Sequence, residues 1–436
     1  MNKRLIRFTI FVLMLLFLMP LSVHAQTEGK IDAGDTAFVL LSAALVMLMT
    51  PGLAMFYGGM ARKKNVLGTI MHSFIAIAIV SVQWVLIGYS LSFGPDIKSI
   101  IGGLDWAFLH GVGTAPNADY APTVPHLAFM IYQAMFAVIT PALISGAIAE
   151  RMKFSAYLIF ILLWTTLVYD PVAHWVWGTG GWLKGLGVLD FAGGIVVHAT
   201  SGLSALAAAL VIGKRKGYLR EPMPPHNLPM TVLGAGLLWF GWFGFNGGSA
   251  LAAGGLSAVA FVTTHIAAVS ATLLWVIIEW LHRGKPTMFG AATGSIAGLA
   301  TITPAAGFVG PMSSLVIGML AGAACYTALN LKSKLGYDDS LDAFGVHGVG
   351  GILGTISAGF FAQKLINNTG ADGLLFGNPH QLAVQGIAVL VAAFYSFTIT
   401  FIVLKIIEKT IGLRISDEEE VMGMDLSQHE ESGYTL

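Results

Sequence analysis

Eleven apolar stretches long enough to cross a membrane recur along this chain, and no other feature restricts its fold so strongly. They lie at about residues 37–59, 66–91, 127–148, 154–177, 193–213, 228–247, 256–281, 287–307, 312–330, 343–362 and 383–407. A bilayer core about 30 Å thick needs roughly 20 residues of helix. Charged residues make up 11% of the 436 positions, less than half the roughly 25% of soluble domains. The chain is therefore predicted to be an all-α polytopic membrane protein.

Residues 1–25 are predicted to be a secretory signal peptide. A positively charged start precedes the apolar run 8–19, followed by Pro20 and the triplet Val23-His24-Ala25, and this is the usual order of such signals. Cleavage after Ala25 places the mature N-terminus outside the cytoplasm. The alternative is a retained first helix, because the apolar run is long for a signal and short for a span.

Lysine and arginine positions predict the orientation. With the N-terminus outside, the inner loops carry thirteen of them: Arg62, Lys63, Lys64, Arg151, Lys153, Lys214, Arg215, Lys216, Arg220, Arg283, Lys285, Lys332 and Lys334. The outer segments carry four: Lys30, Lys98, Lys184 and Lys364. This positive-inside bias predicts a multi-pass protein of the cell (inner) membrane with a cytoplasmic C-terminus. The 23 basic and 23 acidic residues cancel, so net charge gives no reason to expect nucleic acid as a partner.

Two histidines in corresponding spans are the strongest indication of function. Each half contains five spans, and because five is odd, the second half must lie upside down relative to the first. Helices 1–5 and 6–10 are therefore predicted to form an inverted repeat. His198 falls in the fifth span after DFAGGIVVH, and His347 falls in the tenth within DAFGVHG. Ionisable side chains at bilayer depth usually face a protein interior or a pore, so both are predicted to line a pore. The alternative for either one is a satisfied hydrogen bond between helices.

Small residues predict close helix packing. Gly290, Gly294 and Gly298 recur every four residues, which indicates a face that a neighbouring helix can approach closely. The single cysteine, Cys325, lies in an apolar segment and is interpreted as another small packing residue.

Five long motifs resemble one known family. They are TPGLAMFYGGMARKKNVL (50–67), ITPALISGAIAERMKF (139–154), DFAGGIVVHATSG (190–202), GWFGFNGGSA (241–250) and DAFGVHGVGGILGT (342–355). In this order they are similar to the ammonium transporter (Amt/Mep/Rh) family, and the resemblance runs from about Asp35 to the end. It implies a homotrimer of eleven-helix subunits in the lipid bilayer. Each subunit, with its transmembrane domain at residues 26–411, would hold a narrow pore for ammonium or ammonia.

The resemblance also implies an outer site that recruits ammonium. Its matching residues are Trp177, Phe136, Ser249 and the nearby Asp190, and the paired rings of Phe136 and Phe245 match a gate below it. Aromatic faces attract cations, and a hydroxyl accepts an N–H hydrogen bond. Taken singly, the same residues also fit an aromatic belt, helix packing and helix capping. Asp190 in particular precedes a span and can cap it as well as favour a cation.

Below the gate, the resemblance implies a pore lined by His198 and His347, with Trp242 on its wall and Thr293 near the lower vestibule. Moving an intact cation through an apolar passage costs much more free energy than moving a neutral solute. Deprotonation therefore lowers the barrier, and ammonia can exchange hydrogen bonds with the imidazoles. A potassium ion has no proton to lose, so this chemistry predicts selectivity.

Two further carboxylates lie near the ends of predicted spans. Asp342 precedes His347 and is predicted to mirror Asp190 in the second half. Asp170 lies before Pro171 near the outer end of the fourth span. It either caps a kink there or adds negative charge to the outer mouth, and the sequence leaves both interpretations open.

Residues 412–436 form a charged, polar tail after the last span. Such an end is often disordered, but here it resembles the family's cytoplasmic tail, which implies a PII-type nitrogen-signalling protein as a partner. The main functional alternative is an ammonium sensor with the same fold. A membrane enzyme with histidine-bound metal or haem is poorly supported, because no cysteine or additional histidine accompanies the pair. We therefore predict no enzyme activity, cofactor or metal site.

Overall fold

The computed structural model describes residues 30–434, so the predicted signal peptide lies outside the described residues. In that range, ten helical segments are long and apolar enough to cross a membrane: Ala33–Met60, Lys63–Phe93, His126–Ile148, Phe154–Gly185, Gly194–Ile212, Leu228–Ala250, Gly255–Arg283, Pro311–Leu335, Phe344–Phe361 and Pro379–Thr410. The shorter apolar helix Met288–Ile302 lies at the eighth predicted span. The predicted all-α polytopic architecture is confirmed.

Four of these segments contain π-helical turns, so the α-helices are more numerous than the spans. The α-helices are α1 (Ala33–Met60), α2 (Val66–Gln83), α3 (Tyr89–Phe93), α4 (His126–Ile148), α5 (Phe154–Trp164), α6 (Asp170–Trp177), α7 (Trp182–Gly185), α8 (Thr200–Ile212), α9 (Leu228–Gly247), α10 (Gly255–Arg283), α11 (Met288–Ile302), α12 (Pro311–Leu335), α13 (Val349–Phe361), α14 (Pro379–Thr410), α15 (Asp417–Met422) and α16 (Met424–His429). The π-helical turns are Trp84–Gly88, Thr165–Tyr169, Gly194–Ala199 and Phe344–Gly348. Such turns frequently occur at functional sites.

Short 3₁₀ turns and two β-hairpins complete the secondary structure. The 3₁₀ turns are Lys63–Asn65, Ala107–Leu109, Gly248–Ala250 and Leu374–Phe376. The strands β1 (Asp96–Ile97), β2 (Ile101–Gly102), β3 (Pro116–Asn117) and β4 (Ala121–Pro125) form the antiparallel pairs β1–β2 and β3–β4. Register pairs Ile97 with Ile101 and Asn117 with Ala121. Both hairpins lie between α3 and α4, and we call their end of the bundle the hairpin face.

The C-terminal segment packs on the opposite end, which we call the tail face. The Lys64 ammonium donates to the Glu420 carbonyl at 2.8 Å, and the Asp425 carboxylate accepts the Gly68 N–H at 2.8 Å. Both contacts tie the tail to the loop and helix that follow α1. The tail is therefore ordered against the bundle, in contrast to the disordered end that its polar composition alone would suggest.

The two halves of the chain meet along corresponding elements. Helix α1 packs along α9, and these are the first spans of the two halves. A side chain at Gly202 would place its Cβ 2.1 Å from Gly348, and one at Gly351 would place its Cβ 2.6 Å from the Ala199 nitrogen. In each half the glycine lies four residues after the histidine and meets the residue that follows the other histidine. This reciprocal contact supports the predicted inverted repeat.

The predicted glycine face on α11 is confirmed. A Cβ at Gly294 would lie 2.8 Å from the Trp275 side chain, and one at Gly298 would lie 2.5 Å from the Ala267 carbonyl. Both neighbours belong to α10. Because Gly294 and Gly298 carry no side chain, these two helices can approach to backbone contact.

Candidate functional site

The first histidine is positioned by a carboxylate cap at residues 190–202, which we call the first arm. The side chain of Asp190 is buried and accepts four backbone N–H groups, those of Gly193, Gly194, Ile195 and Val196, at 2.5–3.1 Å. Gly193 has a φ of 110°, which turns the chain sharply into the π-helical turn that carries His198. Burial raises the pKa of Asp190 above its ordinary range, although the four N–H groups oppose that shift.

Residues 339–351, the second arm, repeat this design. The buried Asp339 carboxylate accepts the N–H groups of Ala343 at 3.1 Å and Phe344 at 2.8 Å. His347 follows in the next π-helical turn. In both arms the carboxylate lies eight residues before the histidine. Burial raises the pKa of Asp339 to about 6.

Asp342 is therefore not the counterpart of Asp190, and that prediction is wrong. Asp342 occupies the position of Gly193, three residues after the capping carboxylate, and it has the same left-handed backbone with a φ of 64°. Its side chain pairs with the Lys332 ammonium at 2.5 Å. Aspartate tolerates this conformation better than most residues. Asp342 is the acid nearest to His347 in the sequence, whereas Asp339 is the acid at the distance that separates Asp190 from His198.

The structure brings the two histidines together in the protein interior. The His198 and His347 rings lie 5.3 Å apart, centroid to centroid, with 14° between their planes. Their exposed fractions are 1% and 3%. Both nitrogens of His198 and the Nδ1 of His347 have no hydrogen-bond partner among the described residues. The alternative of a satisfied hydrogen bond between helices thus does not describe His198, and its ring is free to bond a small solute.

Both rings border a cavity of about 10 Å³, which we call the narrow cavity. Its lining is otherwise apolar or aromatic: Met49, Leu53, Phe56, Ile139, Leu143, Val197, Leu238, Trp242, Phe245 and Ile296. A site of roughly 10–15 Å³ holds about one water molecule. Trp242 stacks on the His198 ring at 5.4 Å and donates its indole N–H to Thr303 at 2.9 Å. The cavity therefore fits one small solute beside the imidazoles.

Two phenylalanine rings separate the narrow cavity from a larger one. Phe136 and Phe245 lie 4.4 Å apart between ring centroids, and both are buried. Phe245 lines the narrow cavity on one side of the contact, and Phe136 lines the larger cavity on the other. A solute that passes between the cavities requires movement of these rings.

The larger cavity has a volume of about 160 Å³, and we call it the wide cavity. Trp177, Phe136 and Ser249, which the resemblance assigns to an outer recruitment site, all line it. The Trp177 ring stands edge-on to Phe136 at 5.9 Å, and the Ser249 hydroxyl lies 3.1 Å from the Tyr132 hydroxyl. Aromatic faces and a hydroxyl oxygen are suitable contacts for a small cation with N–H donors.

The remaining predicted residues lie outside both cavity linings. Asp190 uses its side chain as a backbone cap, and its carbonyl accepts the Trp177 indole N–H at 2.9 Å. Thr293 is buried on α11, one turn before the cavity residue Ile296, and its hydroxyl donates to the Phe289 carbonyl. Asp190 therefore supports the wall of the wide cavity through Trp177 instead of facing the solute directly.

Asp170 lies away from these cavities. Its buried carboxylate accepts the Gln83 amide at 2.7 Å and the Ser92 hydroxyl at 3.3 Å. It begins α6 directly after the π-helical turn Thr165–Tyr169. The side chain therefore ties this bend of the fourth span to the second span and does not line the wide cavity.

A comparison with protein families matches the Ammonium Transporter Family over residues 37–434. The chain belongs to the ammonium transporter family. It is 54% identical over 402 residues to an ammonium transporter of Bacillus subtilis, a match that covers 92% of this chain and 98% of the relative.

Solved structures of the ammonium transporter family share this fold. The crystal structure of Saccharomyces cerevisiae Mep2 matches with a TM-score of 0.84 and 38% identity, covering 89% of each chain. A structure described as a sensor Amt protein matches with a TM-score of 0.83 and 31% identity, covering 91% of this chain and 98% of that one. This ammonium transporter family member therefore shares its fold with Mep2 and with a protein described as a sensor.

Sequence reasoning missed several residues of the site. Asp119, Tyr120, Gln133 and Lys184 also line the wide cavity. Asp119 and Tyr120 belong to the loop between β3 and β4, where no periodic pattern indicates which side chains turn inward. Asp339 could have been found, because its distance from His347 equals that of Asp190 from His198.

Proposed function

We propose that this protein transports ammonium by recruiting the cation in the wide cavity, removing its proton and conducting ammonia past His198 and His347. The observation that supports the proposal best is the stacked histidine pair in a narrow, otherwise apolar cavity. A pair with unpartnered ring nitrogens can exchange hydrogen bonds with a neutral solute that both donates and accepts. The proton released from ammonium returns to the water of the wide cavity, or it crosses the membrane by a separate route alongside the ammonia.

The walls of the narrow cavity explain why the charge should be lost. Apart from the histidines, they provide no carboxylate, hydroxyl or amide oxygen that could replace the water around a cation. Moving an unpaired charge into such surroundings costs far more free energy than moving a neutral polar solute. Loss of the proton above the phenylalanine pair removes most of this cost. Potassium, which has no such proton, remains excluded.

In the wide cavity, we propose that Trp177, Phe136 and Ser249 hold the cation before it loses its proton. The aromatic rings supply negative faces, and the hydroxyl supplies a lone pair. Asp190 keeps Trp177 in place and supplies a negative charge nearby. We propose that Phe136 and Phe245 act as the gate, that Trp242 holds His198 in position, and that Thr293 lies near the exit.

We propose that the tail face is cytoplasmic and the hairpin face is outside, in the cell (inner) membrane. The excess of lysine and arginine in the loops at the tail face supports this orientation. The proposal also includes a signal peptide at residues 1–25, a transmembrane domain at 26–411, a cytoplasmic tail at 412–436 and a homotrimer. The ordered tail offers a PII-type protein a defined surface. If no PII-type protein co-purifies with the full-length protein from nitrogen-replete membranes, that result argues against this partner.

The decisive experiment measures ammonium-driven current and internal pH in proteoliposomes that contain the full protein. Sustained current indicates charge transfer, and a rise in internal pH without current indicates passage of neutral ammonia. Trp177→Leu is expected to weaken the response more at low than at high ammonium. Trp280→Leu is the control, because Trp280 is exposed on α10. Equal losses at low and high ammonium would contradict recruitment by Trp177.

An ammonium sensor is the second candidate, and the likeness to a sensor Amt protein supports it. A sensor binds ammonium and changes conformation, but it need not sustain flux. The same proteoliposomes therefore separate the two functions. A brief binding current that decays without any change in internal pH favours the sensor, and continued uptake favours the transporter.

A further inference from the structure

Lys184 places the ammonium group of its own side chain at the wide cavity. It lies on the short helix α7, and its side chain lines this cavity together with Trp177 and Ser249. The lysine Nζ donates to the Trp177 carbonyl at 3.0 Å. The same nitrogen lies 5.7 Å from the centre of the Tyr120 ring. One carbonyl and one aromatic face therefore hold this cation at the edge of the proposed recruitment site.

These contacts are the ones that free ammonium would make. A lysine head group and an ammonium ion each carry one positive charge and several N–H donors, and both favour carbonyl oxygens and aromatic faces. The lysine is covalently attached, so its local concentration is high at every substrate concentration. Two such cations in a cavity of about 160 Å³ also repel each other.

The charges in the wide-cavity lining determine how strongly this repulsion affects the binding of a cation. Among its lining residues, Asp119 and Lys184 are the ones that carry opposite formal charges. Their charges cancel, so the lining carries no net formal charge that would attract a cation. Replacing Lys184 with a neutral side chain would leave Asp119 as a net negative charge at the cavity.

We propose that the Lys184 ammonium group is a tethered competitor that must leave the Trp177 carbonyl before a substrate cation binds in the wide cavity. Lys184 then sets the ammonium concentration at which transport is half-saturated. When the Lys184 ammonium group leaves the Trp177 carbonyl, that oxygen becomes available to the substrate. This inference rests on the proposed transport function and concerns substrate affinity, not the chemistry at the histidines.

The test compares half-saturating ammonium concentrations in proteoliposomes for the wild type, Lys184→Met, Lys184→Arg and Lys364→Met. Methionine keeps much of the apolar stem without the charge, and arginine keeps the charge. Lys364 is an exposed lysine outside the wide-cavity lining. We expect Lys184→Met to lower the half-saturating concentration about three- to tenfold at low ionic strength, and tenfold corresponds to about 1.4 kcal/mol. Lys184→Arg and Lys364→Met should remain close to the wild type.

The salt dependence and the maximal rate distinguish competition from a purely structural role. At about 0.5 M inert salt the charge is strongly screened, so the difference between the wild type and Lys184→Met should shrink. An unchanged half-saturating concentration, or a loss confined to the maximal rate, overturns the inference while the transport proposal stands. A wild-type protein with no response to ammonium by current or internal pH overturns both.

Discussion

The two histidine arms share a backbone path but differ in the number of hydrogen bonds that stabilise it. In the first arm, Asp190 accepts four N–H groups, and the left-handed position is occupied by glycine. In the second arm, Asp339 accepts two N–H groups, and Asp342 occupies the left-handed position. The difference indicates that the backbone path is the shared requirement, while the side chains that maintain it vary between the halves.

The environment of each arm accounts for part of this difference. The second arm follows a helix that ends in basic residues, and Lys332 pairs with Asp342. This ion pair helps to hold a residue other than glycine in a left-handed conformation, which costs of order 1–3 kcal/mol when unsupported. At the first arm, a Cβ on Gly193 would lie 2.6 Å from the Val197 side chain. Glycine therefore relieves both a steric and a conformational restriction there.

Removing the histidines one at a time should have the largest effect on function. We expect His198→Ala and His347→Ala each to reduce ammonium flux at least about tenfold, or about 1.4 kcal/mol of barrier, or to admit potassium. The measurement is proteoliposome flux with ammonium and with potassium. His265→Ala is the control because His265 is exposed. If one histidine variant keeps wild-type flux and selectivity, the arms are not functionally equivalent.

Filling the glycine contacts between the arms should have the next largest effect. Gly202→Ala brings a Cβ to 2.1 Å from the Gly348 backbone, and Gly351→Ala brings one to 2.6 Å from the Ala199 nitrogen. Neither backbone can move aside easily, so each variant should lose about 1–3 kcal/mol of stability, with Gly202→Ala the worse. Thermal unfolding in detergent measures this. Gly386→Ala, where the new Cβ meets no atom within 4 Å, should not be destabilised.

Neutralising the caps tests the difference in hydrogen bonding directly. In Asp190→Asn the new amide NH₂ must face two N–H donors, because each Asp190 oxygen accepts two. In Asp339→Asn the new amide NH₂ faces only one N–H donor, because each Asp339 oxygen accepts one. We therefore expect a loss of about 2–3 kcal/mol for Asp190→Asn and about half that for Asp339→Asn. Equal melting temperatures for the two variants would show that the number of bonded N–H groups does not determine arm stability.

Replacing the residues at the two left-handed positions should give an asymmetric result. Asp342→Gly removes backbone strain but also removes the ion pair with Lys332, so we expect a net change within about 1 kcal/mol. Gly193→Ala adds strain and a contact with Val197, so it should be destabilised by about 1–3 kcal/mol. Melting temperatures measured side by side provide the comparison. A stability loss for Asp342→Gly as large as that for Gly193→Ala would make the ion pair the dominant contribution.

The pH dependence of stability should show the smallest effect. Burial raises the pKa of Asp339 to about 6, above its value of about 3.9 in an unfolded chain. Its contribution to stability is fully present below about pH 4 and is lost as the pH rises through about 6. Asp339→Asn should therefore flatten the change in melting temperature between these two pH values. An unchanged slope would contradict a protonation difference at this residue.

Among the described residues, ten apolar helices of spanning length and one shorter helix lie where the sequence indicates them, and the two histidines fall within such helices, because polar groups are costly in lipid. Because of this cost, most residues of a span are apolar, and the composition of the sequence shows this directly. The left-handed positions and the Asp339 cap depend instead on backbone geometry at the ends of spans, where apolar patterning stops. Lys184 and Tyr120 lie in connections whose course depends on tertiary packing, so no local pattern indicated that they reach the wide cavity.

The narrow cavity is assembled from both halves, since His198 belongs to one and His347 to the other. Neither half alone carries the complete passage. The first five spans alone would supply seven of the twelve lining residues and one of the two imidazoles. Each half is thus an incomplete wall, and the passage exists only where the two are packed against each other.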